Sequence, residues 1–173
     1  MPRVGSAVIE TRSDLGPVIT RGLAWIAGKQ QPGGGFAALR TDIGASGAPH
    51  RVHPDATPFL TARIVISLDG LATAPLAAGI RQRAGPYLSA QLGPWGACHY
   101  WERGHPLHQF IPADVDDTAS VAEALRSLGL DTRHAARLVR RNTDKRGLFH
   151  TWIVPRWPPR WCPITALTLL YDL

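Results

Sequence analysis

Two cysteines in 173 residues, Cys98 and Cys162, are too few for a disulfide-built scaffold, although a single bridge between them stays open. Lysine is almost absent: Lys29 and Lys145 stand against seventeen arginines. The net charge of +6 is therefore arginine charge, suited to bidentate contacts with carboxylate or phosphate. It is scattered, with no basic stripe beyond Arg137, Arg140 and Arg141 and no recognition motif, so no nucleic-acid partner is expected. No apolar run approaches the ~20 residues of a membrane span. The first 16 residues carry Arg3, Glu10, Arg12 and Asp14, and so hold no apolar signal core; a soluble cytoplasmic protein is the expectation. Charged residues make up only 18% of the chain and hydrophobic ones 45%, which excludes a disordered charged tail. No convincing alternation of apolar and polar residues marks a strand.

What is present is helical period, chopped by 17 Gly and 15 Pro. Leu15, Val18, Ile19, Gly22, Trp25 and Ile26 share one helix face, with Ser13 or Asp14 as cap and Gly33, Gly34 and Gly35 as the stop. Residues 37–56 lack any period and read as a long loop. Leu60, Ile64, Leu68 and Leu71 make a second helix, closed by Pro75. A third begins at Leu76 and Ile80, and Pro86 is expected to kink or restart it. Val121, Leu125 and Leu128 precede Gly129; Ala135, Leu138 and Val139 precede Asn142. A last helix is expected over Pro163–Tyr171.

Three segments share a pattern of apolar helix end, polar residue, glycine turn and aromatic. They end at Phe36, Trp95 and Phe149, 59 and 54 residues apart. That spacing fits one helical hairpin plus loops per copy, as in stacked helix pairs. Glycine supplies the turn that stops a helix, and a glutamine can bond the exposed terminal carbonyls. Helix-end chemistry alone accounts for such a repeat.

The segment from Arg21 through Gln30 and Gln31 to Gly35 and Phe36 nevertheless resembles the repeat of squalene–hopene and oxidosqualene cyclases. The run Asp114-Val115-Asp116-Asp117-Thr118-Ala119 resembles the Asp-x-Asp-Asp-Thr-Ala motif of those enzymes and of class II diterpene cyclases. The resemblance spans residues 13–173, after an N-terminal extension over residues 1–12. It implies an all-α, α/α toroid-like domain of six or seven helices in antiparallel pairs. That is half of the family's toroid, so a homodimer or a second toroid protein would complete it.

By the same resemblance Asp116 is the general acid that protonates a linear isoprenoid, with Asp114 and Asp117 in support. Clustered carboxylates suit the task, because like charges keep one of them protonated near neutral pH. The cation formed would need aromatic faces, offered by Trp95, Tyr100, Trp101, Phe110 and Trp152. Trp157 and Trp161 follow within a proline-rich run that could equally pack the last helix. A histidine partner for the acid is also a family feature; His99, His105 and His108 are the candidates, and spacing does not choose between them. Cys98 and His99 with distant Cys162 lack ordinary zinc spacing, and no Asp-Asp-x-x-Asp motif appears, so no metal or cofactor is expected; Mg²⁺ enters only with a diphosphate substrate. Two other accounts stay open. Asp114 with Asp116 and Asp117 also makes an ordinary capped helix start, and the whole could be a non-catalytic module binding an apolar ligand or a partner protein.

Overall fold

The structure, a computed structural model, describes residues 15–43 and 49–153. Five α-helices and one hairpin make up the regular part. They are α1 (Leu15–Lys29), β1 (Ala37–Ile43), β2 (Pro49–Ala56), α2 (Pro58–Ser67), α3 (Pro75–Gln91), α4 (Val115–Ser127) and α5 (Arg133–Arg141). A single 3₁₀ turn, Asp69–Leu71, joins α2 to α3. Among the described residues no helix is long and apolar enough to cross a membrane.

The all-α expectation is overturned. Residues 37–56 are not a loop but an antiparallel pair, with Leu39 opposite Pro54, Arg40 opposite His53 and Thr41 opposite Val52. Its signal is weak for a physical reason. The sheet has only two strands, so each proline amide can face away from the ladder at no cost, and the outward positions are not uniformly polar. Leu39 and Val52 are exposed. A cross-strand ion pair, Arg40 to Asp55 at 2.6 Å, adds the specificity the apolar pattern lacks. Among the described residues the fold is therefore mixed, five helices and a hairpin, and not the all-α arrangement of paired helices.

Pro86 neither ends nor restarts α3, which runs unbroken through it. Its neighbours hold the helix: Ala84, Tyr87 and Leu88 are buried in a core shared with Ala62, Val65, Val121 and Leu125. A second core joins Leu23, Phe36, Leu68, Ala77 and Ile80. In this arrangement α2 packs on both α3 and α4, α1 on α3, and α5 on α4. The expected helix over 163–171 lies outside the described residues, as do Ser13 and Asp14, the cap candidates of α1.

One buried guanidinium ties three helices. Arg81 of α3 donates to the Val65 carbonyl of α2 at 2.7 Å and to the Ser127 carbonyl of α4 at 3.0 Å, and it pairs with Asp69 at 2.8 Å. Cation and helix ends suit one another, since the last carbonyls of α2 and α4 lack intrahelical partners.

The repeat is real in three dimensions, in a different register from the one the aromatics suggest. Gln31 donates to the Gly35 carbonyl and Gly34 to Gln31; Gly93 donates to Ala97 and Gly96 to Gly93; Asp144 donates to Leu148 and Gly147 to Asp144. Each turn places its glycine, Gly34, Gly96 or Gly147, at positive φ. The residue that follows is Phe36, Cys98 or Phe149, so Cys98 rather than Trp95 matches the two phenylalanines. Gln30 does not bond helix-end carbonyls as expected; it donates to the carbonyls of Gly34 in the turn and of Ile80 within α3, tying the turn to that helix.

The first two turns are clamped identically. The Phe36 amide donates to the Thr61 hydroxyl and the Cys98 amide to the Thr118 hydroxyl, each at 2.9 Å and buried. Each threonine lies four residues after its helix cap, Thr57 or Asp114.

The turn glycines differ in what a methyl group would meet. A Cβ at Gly34 would lie 2.2 Å from the Arg83 carbonyl oxygen, whereas Gly129, also at positive φ, has nothing within 4 Å. Gly129→Ala should cost roughly 1 kcal/mol, the strain of a non-glycine residue in the left-handed region. Gly34→Ala should cost clearly more, because α1 and α3 must separate as well. Urea midpoints of the two variants check the order, and equal losses would show that the turn does not pack as described.

Candidate functional site: the acidic first turn of α4

Asp114 caps α4. Its backbone is extended, and its Oδ1 accepts the Asp117 amide at 2.7 Å. The first copy of the repeat shows what capping requires: Thr57 Oγ1 accepts the Leu60 amide in the same way at 3.1 Å. Asp117 thus occupies the place that Leu60 holds in α2. A helix start can be built there with an apolar side chain, so the Asp117 carboxyl is not needed for the cap.

That carboxyl is only 3% exposed, and its Oδ2 is buried without a partner. Burial pushes its pKa up to about 8, and the negative charge of Asp114 beside it pushes the same way. Asp114 is also raised by burial, but the Asp117 amide and a protonated Asp117 carboxyl both stabilise its charge. The two behave as one site holding one proton between them. Asp116 is different. It is exposed on the same turn, so the buried, proton-holding carboxyl lies one position on from the residue that the resemblance singles out.

The histidines separate. His99 lies close enough to Asp114 for their charges to interact; its Nδ1 meets the Ile111 carbonyl at 2.8 Å, and burial lowers its pKa. His108 stacks on His99 at 4.1 Å, with its Nδ1 on the Trp101 carbonyl at 2.8 Å. His105 turns to the hairpin instead, 3.5 Å from Asp55, and stacks on Trp101. Of the three, His99 is the one whose charge bears on the acidic turn, through Asp114.

The aromatics separate too. Trp152 is brought to the turn through its backbone: Val115 donates to Thr151, Ile153 donates to Ala113, and Trp152 lies opposite Asp114. Asn142 holds that strand, donating to the carbonyls of His150 and Trp152. Trp101 is buried with its indole N–H unpartnered, and Tyr100 packs edge-on against it at 4.8 Å. Trp95, 80% exposed, and Phe110 face solvent rather than lining a closed hollow. Trp157, Trp161 and Cys162 lie outside the described residues. Sequence reasoning missed Thr118 and Asn142. Thr118 could have been found from its match to Thr61; nothing marks Asn142 in advance.

Cys98 sits beneath the turn. Its thiol is buried and its pKa pushed up, first by burial and then by the charges of Asp117 and Asp114. It is a packing residue there, not a nucleophile. Among the described residues no three of His, Cys, Asp and Glu converge as a metal would require. Open pockets lie between α4 and α5 (about 270 Å³), along α3 (about 610 Å³), and between α1, the hairpin and α2 (about 580 Å³). None of these three is lined by Asp114, Asp116 or Asp117.

The raised pKa of Asp117 makes stability depend on pH. The folded chain holds this proton more tightly than the unfolded chain, whose carboxyl titrates near 3.8. Stability from this group is complete below that value and is lost as pH rises toward about 8. Asp117→Asn keeps a donor toward Asp114 at every pH. It should flatten the profile and raise stability at pH 7 by on the order of 1–3 kcal/mol, the usual cost of an ill-satisfied buried polar group. Urea unfolding at pH 5 and pH 8 checks this; an unchanged slope in the variant would place the proton elsewhere.

No protein-family model, no curated protein and no solved structure matches the chain, so the likeness to class II cyclases rests on the turn and motif themselves.

Proposed function

We propose that the chain is a proton-donating module of the class II cyclase kind, which starts cyclisation of a linear isoprenoid from the first turn of α4. The observation that carries this is the buried carboxyl of Asp117 at a position where the same helix start elsewhere in the chain uses Leu60. A carboxyl there costs stability and adds nothing to the cap, and what it supplies is a proton held at neutral pH.

In this reading the proton held by Asp117 and Asp114, a pair that His99 biases, passes to Asp116, which delivers it to a substrate double bond. The π electrons form the new C–H bond, the cation left behind is attacked by the next double bond, and the cyclised cation finally gives up a C–H proton to the Asp116 carboxylate, so that mass is conserved. Trp152, whose backbone pairs with Asp114, is the aromatic residue this reading places beside the turn. If the substrate carries a diphosphate, Mg²⁺ neutralises it and the group stays attached. Because Asp116 is open to solvent, a second copy or a partner protein must cover it before a cation can survive. The reaction would take place in the cytoplasm.

A second reading is a non-catalytic module that binds an apolar ligand or partner. It is favoured by the pockets described above, none of which is lined by Asp114, Asp116 or Asp117.

Incubation with linear prenyl diphosphates and with squalene separates the two. Turnover gives a new chromatographic peak of unchanged mass, since cyclisation is an isomerisation. Asp116→Asn and Asp117→Asn should each lower the rate by roughly 10²–10⁴, the worth of a general acid, with the circular dichroism spectrum retained. A folded parent protein that converts none of these substrates favours the binding module.

A further inference from the structure

The pocket between α1, the hairpin and α2 has the form of a ligand site. It has a volume of about 580 Å³, within the range of small-molecule pockets. Trp25 and Ile26 of α1 form one wall. Leu39 and Pro54, directly opposite in the hairpin and so on one face of it, form the other. Thr41 and Val52 are the next pair on that same face, so the wall continues outward. Phe36, Leu60 and Ile64 close the floor. Trp25 is 66% and Leu39 75% exposed, a large apolar surface that nothing among the described residues covers.

The lining carries one charge. Lys29, at the last position of α1, sits with its Nζ 5.5 Å from the centre of the Trp25 ring, and no acidic side chain lines the pocket. Lys29 makes no ion pair among the described residues, whereas Arg40, Arg81, Arg133 and Arg146 all do. A greasy trough with one unmatched ammonium at its rim fits a particular chemistry.

We infer that this trough binds a single-chain amphiphile with an anionic head, its hydrocarbon chain lying between Trp25 and Leu39 and its head group on Lys29. The site is built from α1, the hairpin and α2, and it does not depend on the acidic turn of α4. The head is a carboxylate or a phosphate; both offer negative oxygens that accept hydrogen bonds from an ammonium.

Three probes of one chain length test this: palmitate, hexadecyl phosphate and uncharged hexadecanol, each titrated below its aggregation limit by calorimetry. The parent protein should bind both anions saturably, one per chain, and hexadecanol more weakly. Lys29→Gln should weaken the two anions by about tenfold, a single charge-assisted contact, and leave hexadecanol unchanged. Leu39→Asp, on the exposed hairpin, should abolish all three while the circular dichroism spectrum is kept. Preference between the two anions identifies the head group. Because Lys29 and Lys145 are the only lysines, amine methylation gives an internal control: bound ligand should protect Lys29 and spare Lys145 no attack. Absence of saturable binding by any probe, or indifference of the anions to Lys29→Gln, overturns the inference. So does a free protein of twice the chain mass that Leu39→Asp converts to single chains, since the trough would then be a seam between copies.

Discussion

The arrangement depends on a hydrogen bond made twice: a backbone amide leaving a glycine turn donates to a threonine hydroxyl buried one helical turn inside the next helix. Phe36 meets Thr61 and Cys98 meets Thr118 in this way. Each amide would otherwise be an unpaired donor in a dry interior, a state that costs more than an ordinary hydrogen bond gains. The bond therefore fixes where a chain returning from one helix must enter the next. In the first copy an entire hairpin is looped out between the turn and the cap, and in the second the histidine-rich stretch 99–111 takes its place. The clamp is kept, and what it encloses is free to change.

That freedom explains how an acidic site can be added to a structural repeat without rebuilding it. The cap needs one side-chain acceptor, supplied by Thr57 in one copy and Asp114 in the other. The position three residues on needs only to fill space, and Leu60 does so. With Asp117 there, burial and the neighbouring charge leave the carboxyl protonated where a surface carboxylate would be ionised. Strain on the fold and chemical potential at the site have a single source.

The sequence showed the helices well because their apolar residues recur at helical spacing and glycines stop them; α1, α4 and α5 lie where that period places them, while α2 ends at Ser67 and leaves Leu71 to the 3₁₀ turn instead of running on to Pro75. It concealed the hairpin, since a two-stranded ribbon with exposed Leu39 and Val52 has no buried face to impose alternation. It overstated Pro86, because side chains on both sides of that residue are locked in the core. The acidic turn was legible as a motif, but not the division of labour within it. Whether Asp116 or Asp117 is the inward residue depends on the rotation of α4 about its axis. The packing of Val121 and Leu125 sets that rotation. Likewise the choice of His99 over His105 rests on Asp55, a partner fifty residues away that no local spacing reveals.

Arg81 has a further meaning for motion. Its fork grips the trailing ends of α2 and α4 together, while the acidic turn stands at the opposite, leading end of α4. The Cys98–Thr118 clamp holds that leading end as well, so α4 is a rod fixed at both ends, and whatever settles on the acidic turn meets a helix that neither slides nor swings.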